Sequence, residues 1–191
     1  VINCSGYIGR PNVDACEDHK AETIEGNVVL PKMISDICCD LNIKYMHISS
    51  GCIYDGYGKT YTEEDPPNFC FKTNNGSFYS GCKALAEDLV SKNNSYICRL
   101  RIPFDEIDSP RNYISKLINY DKLLNAENSI THRGDFVKAC LDLYENDCPT
   151  GIYNVVNTGS VTTSWVAQKM AEFNIKNNFN FFPDEQTFYK L

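Results

Sequence analysis

A phenol, an ammonium and a hydroxyl stand in this sequence in an order that could move a proton at a carbonyl. Tyr79 and Lys83 are four residues apart in Gly76-Ser77-Phe78-Tyr79-Ser80-Gly81-Cys82-Lys83-Ala84-Leu85-Ala86-Glu87. On a helix they lie on one face, one turn apart. An ammonium beside a phenol favours phenolate and lowers a pKa that starts near ~10. Such a pair can deliver or remove a proton at a carbonyl or an alcohol. Alone the spacing is weak, because short motifs recur by chance, and its bland reading is a surface lysine beside a half-buried tyrosine. Ser50 changes that weight. It lies upstream in Ser49-Ser50-Gly51-Cys52-Ile53-Tyr54-Asp55-Gly56, where a hydroxyl follows an apolar run and precedes the Tyr-Lys segment.

The elements that must hold these groups are legible around them. Tyr45-Met46-His47-Ile48 reads as a buried strand opening into the loop that carries Ser50. The Tyr-Lys segment starts as a turn and continues as a helix to about Asn93, with Leu85, Leu89 and Val90 as its apolar face. Val1-Ile2-Asn3-Cys4 reads as the end of a strand, and Ser5 to Asn12 as its loop. From Asp14 to Leu41 the pattern is helical, through Ile24, Val28, Leu30, Ile34, Ile37 and Leu41, with Pro31 expected to kink or interrupt it. A polar loop from Asp55 to Asn75 and a strand at Tyr96-Ile97-Cys98-Arg99-Leu100 complete this half. Alternating strands and helices predict an α/β fold with parallel strands and right-handed crossovers.

After Arg101-Ile102-Pro103 the character changes. The turn Ser109-Pro110-Arg111-Asn112 precedes a helical pattern at Tyr113, Leu117 and Ile118, followed by the short segment Lys122-Leu123-Leu124. His132-Arg133-Gly134-Asp135 leads into a helix with Phe136, Val137, Cys140, Leu141 and Leu143. Gly151 to Val156 reads as a strand, and Thr162-Thr163-Ser164 as the cap of a helix around Val166 to Phe173. There is no internal repeat or linker, which predicts two interleaved lobes.

Composition bounds the function. The chain has 191 residues, 42% hydrophobic and 23% charged, enough for a core of ordinary size. A formal net charge of −7 argues against a nucleic-acid or anionic-membrane surface. No apolar run approaches a transmembrane length and no signal sequence opens the chain. The ten cysteines form neither C-x-x-C pairs nor a zinc pattern. Cys38, Cys39, Cys98 and Cys140 sit in apolar segments and read as reduced core residues, so a cytoplasmic protein is expected. His19, His47 and His132 do not cluster; His47 reads as a satisfied core or strand residue, and no metal is assigned.

The hydroxyl followed by a Tyr-x-x-x-Lys helix resembles the extended, nucleotide-sugar-modifying short-chain dehydrogenase/reductases. More specific stretches are Gly9-Arg10-Pro11-Asn12-Val13-Asp14-Ala15-Cys16-Glu17, Gly51-Cys52-Ile53, Gly76 to Ser80, and Ser109 to Lys116. They resemble the dTDP-4-dehydrorhamnose reductases, and more closely the plant-type UDP-4-keto-6-deoxyglucose 3,5-epimerase/4-reductases. Gly51 stands where bacterial reductases commonly have Asp, which favours the plant-type group.

The resemblance implies a Rossmann-like doubly wound parallel sheet with a smaller interleaved substrate lobe. Residues 1–103 would form the C-terminal part of the dinucleotide-binding domain and 104–191 mainly the substrate lobe, with segments around 131–156 returning to the first. It also implies a Gly-x-x-Gly-x-x-Gly turn and second and third strands that lie N-terminal to Val1 in the family, so these are expected to be missing from the chain as given. The implied cofactor is NADPH or NADH. The implied partners are a nucleotide-sugar substrate and a second copy in a homodimer through the Tyr-Lys helix and its neighbour, with no nucleic acid or membrane.

By the same resemblance Ser50 would hydrogen-bond the substrate O4, Tyr79 would protonate it, and Lys83 would hold the nicotinamide ribose. Asn3, Ser5 and Gly6 match the dinucleotide loop, Asn27 the residue that supports the lysine through water, and Arg101 to Pro103 the segment beside the nicotinamide. Arg10, Asn12, Ser77, Arg111 and Asn112 match substrate contacts. Inverting C3 and C5 needs a further acid and base, and Cys52 and Lys116 are the candidates. Bland readings stay open: Ser50 as a turn cap, Asn27 and Lys116 as exposed helix residues, Arg111 as a solvated charge, Cys52 as a small buried hydrophobe. The runner-up enzymes are a nucleotide-sugar 4-epimerase or 4,6-dehydratase, although Gly51-Cys52 lacks the acid-base pair expected of a dehydratase. The non-enzymatic alternative is a binding subunit without the cofactor loop.

Overall fold

In chain order the elements are strand β1 (Ile2–Asn3), helix α1 (Lys20–Ile24) running through a π turn (Glu25–Val29) into α2 (Leu30–Asp40), then β2 (Tyr45–Ser50) and α3 (Phe78–Leu89). They continue as β3 (Ser95–Leu100), β4 (Pro103–Phe104), α4 (Tyr113–Asn119), β5 (Glu127–Asn128), β6 (Thr131–His132) and α5 (Arg133–Glu145). The last are β7 (Gly151–Asn154), β8 (Val161–Thr162), α6 (Thr163–Glu172) and α7 (Glu185–Phe188). This computed structural model describes residues 1–56, 59–90 and 94–188. The expected helix end at Asn93 lies outside the described residues; the helix itself closes at Leu89.

Two units divide the chain. The first comprises Val1–Leu100 and Cys140–Val155, the second Arg101–Ala139 and Val156–Leu191. In the first, β1, β2, β3 and β7 form a parallel sheet in that order. Strands buried on both faces of a parallel sheet read as continuous apolar runs, and Tyr45, Met46, Tyr96, Ile97 and Cys98 are all buried. Cys38 of α2, Tyr45, Val90 and Ile97 make one core cluster, with Ile34 and Ile152 packed on it. The strand expected to reach Val156 stops at Asn154, where its ladder with β3 ends at Arg99.

The long helix differs from its expectation at Pro31. Proline has no N–H to give the preceding turn, and the chain widens by one residue just before it. Leu30 N donates to Glu25 O in the π turn, and the helix runs on to Asp40. A π turn lets the bonding pattern shift without breaking the helix.

α3 departs from its expected face. Leu85 and Leu89 are 37% and 39% exposed, whereas Ser80, Lys83, Ala84, Ala86, Glu87 and Val90 are buried. The helix meets the sheet through a stripe that carries its polar groups, and its leucines face outward. Cys39 is likewise exposed, since only Cys38 of that pair faces the sheet, and each of the ten cysteines is a free thiol.

The second unit is built from shorter pieces. β4 pairs with β6 in parallel and β5 with β8 in antiparallel. Its core is Leu117, Leu123, Val166 and Met170, joined by Tyr113, Ile114, Val161, Phe179 and Phe181. Thr162 caps α6 as its position predicts, its Oγ1 accepting from Trp165 N at 3.1 Å. Lys176 Nζ donates to Ile118 O (2.8 Å) and Leu117 O (3.2 Å), satisfying carbonyls left open at the end of α4.

Candidate active site

The start of α3 is fastened twice. Ser77 Oγ accepts from Ser80 N at 3.1 Å, and Glu17 Oε1 accepts from Phe78 N at 2.7 Å. Both use backbone donors that a helix start leaves open, and a carboxylate there also suits the helix dipole. From this point Tyr79, Lys83 and Glu87 run down one stripe, a turn apart. Tyr79 is half-buried and Lys83 is 4% exposed. Lys83 Nζ donates to Ile48 O of β2 at 2.9 Å. Burial pushes the Lys83 ammonium below its usual 10.5, and charge on Cys52 and Glu87 acts in the opposite direction.

Ser50 is the last residue of β2 and caps a short 3-10 turn, Gly51–Ile53, its Oγ accepting from Cys52 N at 3.2 Å. The turn-cap reading is therefore correct as far as it goes. The cap draws on an oxygen lone pair, not on the hydroxyl proton, so capping and donation to a substrate oxygen are compatible. Cys52 is half-buried and packs with Tyr54 against Ile53, Cys70 and Ala84 of α3. The structure thus brings Ser50, Cys52 and Lys83 to the meeting of one strand end with one helix.

Beneath them lies a buried polar chain that the motifs did not indicate. Ser49 Oγ donates to Glu87 Oε1. Arg99 grips the same carboxylate through Nε (3.1 Å to each oxygen) and NH2 (2.6 Å to Oε2). Its NH1 donates to Tyr54 Oη at 2.7 Å, and that hydroxyl donates to Asp65 O at 2.8 Å. Two signals could have found the pair. Glu87 continues the Tyr79–Lys83 stripe by four residues, and Arg99 is a charge inside an apolar strand.

His47 corrects an expectation. It is fully buried, but neither ring nitrogen has a hydrogen-bond partner. Its ring stacks with Tyr45, centroids 6.3 Å apart. Burial, with the Lys83 charge as a second cause, pushes it down to about 3, so the imidazole is neutral.

At the end of β1, Asn3 is buried. Its Oδ1 accepts from Ser5 N (3.0 Å) and Ser5 Oγ (2.5 Å), and its Nδ2 donates to Tyr45 Oη (2.9 Å). Asn27, in the π turn, is buried too, which removes the exposed-helix reading; its Nδ2 donates to Tyr7 O at 2.6 Å. A Cβ on Gly6 would stand 2.8 Å from Asn27 Oδ1, so any side chain there would have to displace Asn27. Arg10 is exposed, and Asn12 caps the Val13–Glu17 turn by accepting from Asp14 N at 3.0 Å.

The second unit holds the remaining candidates. Arg101 donates to Asn128 Oδ1 through Nε (3.0 Å) and NH2 (2.7 Å), and its backbone N–H to Thr131 Oγ1 (3.0 Å). Ile102, between Arg101 and Pro103, has φ +44°. A β-branched residue there is strained, and such strain clusters at functional segments. Arg111 is exposed and Lys116 half-buried on α4. Asn112 is buried and turned to its own loop: Oδ1 accepts from Ile114 N (3.0 Å), and Nδ2 donates to Asp105 O (2.7 Å) and Ile107 O (2.8 Å).

The chain is similar to known proteins over most of its length. A family profile described as the RmlD substrate binding domain matches residues 1–180. The bifunctional dTDP-4-dehydrorhamnose 3,5-epimerase/dTDP-4-dehydrorhamnose reductase of Arabidopsis thaliana is 35% identical over 183 residues, covering 91% of this chain and 58% of the relative. A trifunctional UDP-glucose 4,6-dehydratase/UDP-4-keto-6-deoxy-D-glucose 3,5-epimerase/UDP-4-keto-L-rhamnose-reductase of the same plant is 34% identical over 182 residues, 91% of this chain and 26% of the relative. The crystal structure of the L780 UDP-rhamnose synthase from Acanthamoeba polyphaga mimivirus superposes with TM-score 0.88 at 25% identity, covering 100% of this chain and 69% of that one. The chain therefore spans little more than half of the first curated relative, and about a quarter of the second.

Proposed function

The chain belongs to the RmlD substrate binding domain family, and from that premise we propose that it reduces the 4-keto group of a nucleotide-linked 4-keto-6-deoxyhexose with NAD(P)H. The reduction is coupled to 3,5-epimerisation, and the product is UDP-rhamnose or dTDP-rhamnose. The observation that carries the reading is the buried Lys83 ammonium, one turn from Tyr79 and 2.9 Å from the carbonyl of Ile48, two residues before Ser50.

The residues present fit a dinucleotide. Ligands of open α/β sheets bind at the carboxyl ends of the strands. There β1 ends in the Asn3–Ser5 turn, where a Cβ on Gly6 would crowd the Asn27 side chain, and β2 ends beside Lys83. When bound, the reduced nicotinamide supplies the hydride. Ser50 donates a hydrogen bond to O4, and Tyr79 delivers the proton to O4. Lys83 holds the nicotinamide ribose and favours the Tyr79 phenolate left behind. Ser5, Gly6 and Asn3 contact the dinucleotide, Asn27 supports Lys83 through water, and Arg101 and Pro103 flank the nicotinamide.

Cys52 and Lys116 serve as the acid and base of epimerisation, one removing a proton beside the keto group and the other returning one to the opposite face. Arg10, Asn12, Ser77 and Arg111 contact the nucleotide sugar. Asn112 acts by holding the loop under Arg111, since both its side-chain atoms are engaged there. Residues 1–103 are assigned to the dinucleotide-binding domain and 104–191 mainly to the substrate lobe, with the segment around 131–156 returning. The protein is proposed to be cytoplasmic and homodimeric; among the described residues no helix is long and apolar enough to cross a membrane. The activities of the plant relatives support this reading.

Incubation of the purified protein with UDP-4-keto-6-deoxyglucose and NADPH, with product identification, tests it. UDP-rhamnose is expected. A 6-deoxyhexose reduced at C4 without inversion would remove the roles of Cys52 and Lys116. No nicotinamide oxidation with UDP or dTDP substrates would sink the reading and favour a binding subunit.

A further inference from the structure

Glu87 and Arg99 form an ion pair that stability alone does not require. Both side chains are buried, and Arg99 meets the carboxylate through two of its nitrogens. Replacing a buried ion pair by apolar groups of similar volume is often neutral or stabilising, so such a pair is weak evidence for stability. What it does supply is orientation, because the planar guanidinium fork holds a carboxylate in one geometry.

Here the geometry links three segments. Ser49 and Arg99 stand opposite each other in the β2–β3 register, and both donate to Glu87 of α3. Lys83, one turn earlier, donates to Ile48 O of the same strand. The helix is thus pinned at two successive turns. Arg99 NH1 then holds Tyr54 Oη, whose hydroxyl reaches the backbone of Asp65. That contact fixes the loop leaving Cys52.

We propose that the Glu87–Arg99 pair is the positioning device of this site: it sets the Tyr79–Lys83 helix against the strand end bearing Ser50 and, through Tyr54, anchors the loop after Cys52. The proposal rests on the reductase reading above and assigns neither residue contact with substrate. Glu87 also faces Lys83 along the stripe, and its charge supports the lysine ammonium. The other titratable or charged groups around that stripe are His47 on β2, Cys52 on the turn after it, and Glu17 and Lys20 beside Phe78 at the head of α3.

The test uses Glu87→Gln, Arg99→Lys and the double variant Glu87→Leu/Arg99→Met, which removes both charges of the pair at once. Two readouts are taken: the titration of Tyr79, followed by NMR of ring-labelled tyrosine and assigned with Tyr79→Phe, and steady-state kinetics. In the double variant thermal unfolding stays near wild type, the Tyr79 titration moves to higher pH, and kcat falls about 10²-fold with KM little changed, the scale of a small misplacement. Arg99→Lys, which keeps the charge but loses the fork, recovers the Tyr79 titration more fully than the rate. A folded double variant with an unchanged Tyr79 titration overturns the proposal. Because that titration needs no substrate, it decides the matter even if the wild-type protein turns over no 4-keto sugar, an outcome that would instead remove the reductase reading.

Discussion

Lys83 carries opposing demands at the scale of single residues. Its ammonium is held out of water, which lowers its proton affinity, while the proposed reduction needs it charged beside Tyr79. Tyr79→Phe and Lys83→Met should each lower kcat by about 10²–10⁴-fold, the usual worth of a positioned acid and its partner. Thermal unfolding of Tyr79→Phe should stay near wild type, because its ring is kept. His47 makes a different prediction. Its folded-state value near 3 lies below the ordinary 6.5, so between those values the unfolded chain binds more protons. Its contribution to stability is therefore complete above about 6.5 and is lost as pH falls, by about 1.4 kcal/mol per pH unit. His47→Leu removes the titration and two unpartnered nitrogens. Denaturant unfolding at about pH 7 and about pH 5 should show the variant losing roughly 2 kcal/mol less than wild type between them. Equal losses would mean that the imidazole is not held neutral in the core.

Helix α3 shows how one element serves two surfaces. Its sheet-facing stripe is given to Tyr79, Lys83 and Glu87, with small Ala84 and Ala86 allowing close approach. Its outer arc carries Phe78, Gly81, Leu85 and Leu89. Phe71 lies across Gly81, where an added Cβ would come within 2.3 Å of its ring, and pairs edge-on with Phe78 at 5.4 Å. Gly81→Ala alone should therefore be neutral or destabilising, because a helix-propensity gain of about 1 kcal/mol is offset by displacing Phe71 from an aromatic pair worth about 0.5–1.5 kcal/mol. In a Phe71→Ala background the same change should stabilise by about 0.5–1 kcal/mol. A double-mutant cycle by thermal unfolding measures this change of sign; additive effects would show that the contact does not form. The π turn before Pro31 is a second case of an element shaped by its site. It carries Asn27, the residue that holds the loop after β1 through Tyr7.

At the scale of the whole molecule, the proposed homodimer needs an apolar surface. Val29, Met33 and Ile37 on the long helix and Leu89 on α3 line one open surface hollow with Lys32 and Asp36, and Leu85, a turn before Leu89, is exposed as well. This is the apolar face expected to close a homodimer. Met33→Asp with Ile37→Asp should yield a monomer by sedimentation, whereas a wild-type protein already monomeric at micromolar concentration would reject that assembly. The sequence by itself determined what nearest neighbours encode. Tyr79 and Lys83 share a face because they are one turn apart, β2 and β3 follow from apolar runs bounded by polar loops, and Thr162 caps α6 because a threonine oxygen reaches an open N–H two or three residues on. The order of strand, helix and strand that places Ser50 near Lys83 was legible for the same reason. Only the tertiary structure decided which faces are covered. Periodicity told that Leu85 and Leu89 share a side with each other, but not that the sheet would take the opposite, charged side. It could not reveal that Glu87 and Arg99 meet, that Asn112 turns into its own loop, or that His47 lies buried without a hydrogen-bond partner. Asn112 finds its partners within seven residues, in a loop whose shape no periodicity describes; the other outcomes depend on separate elements, whose burial becomes affordable only when the partner that satisfies or encloses them arrives.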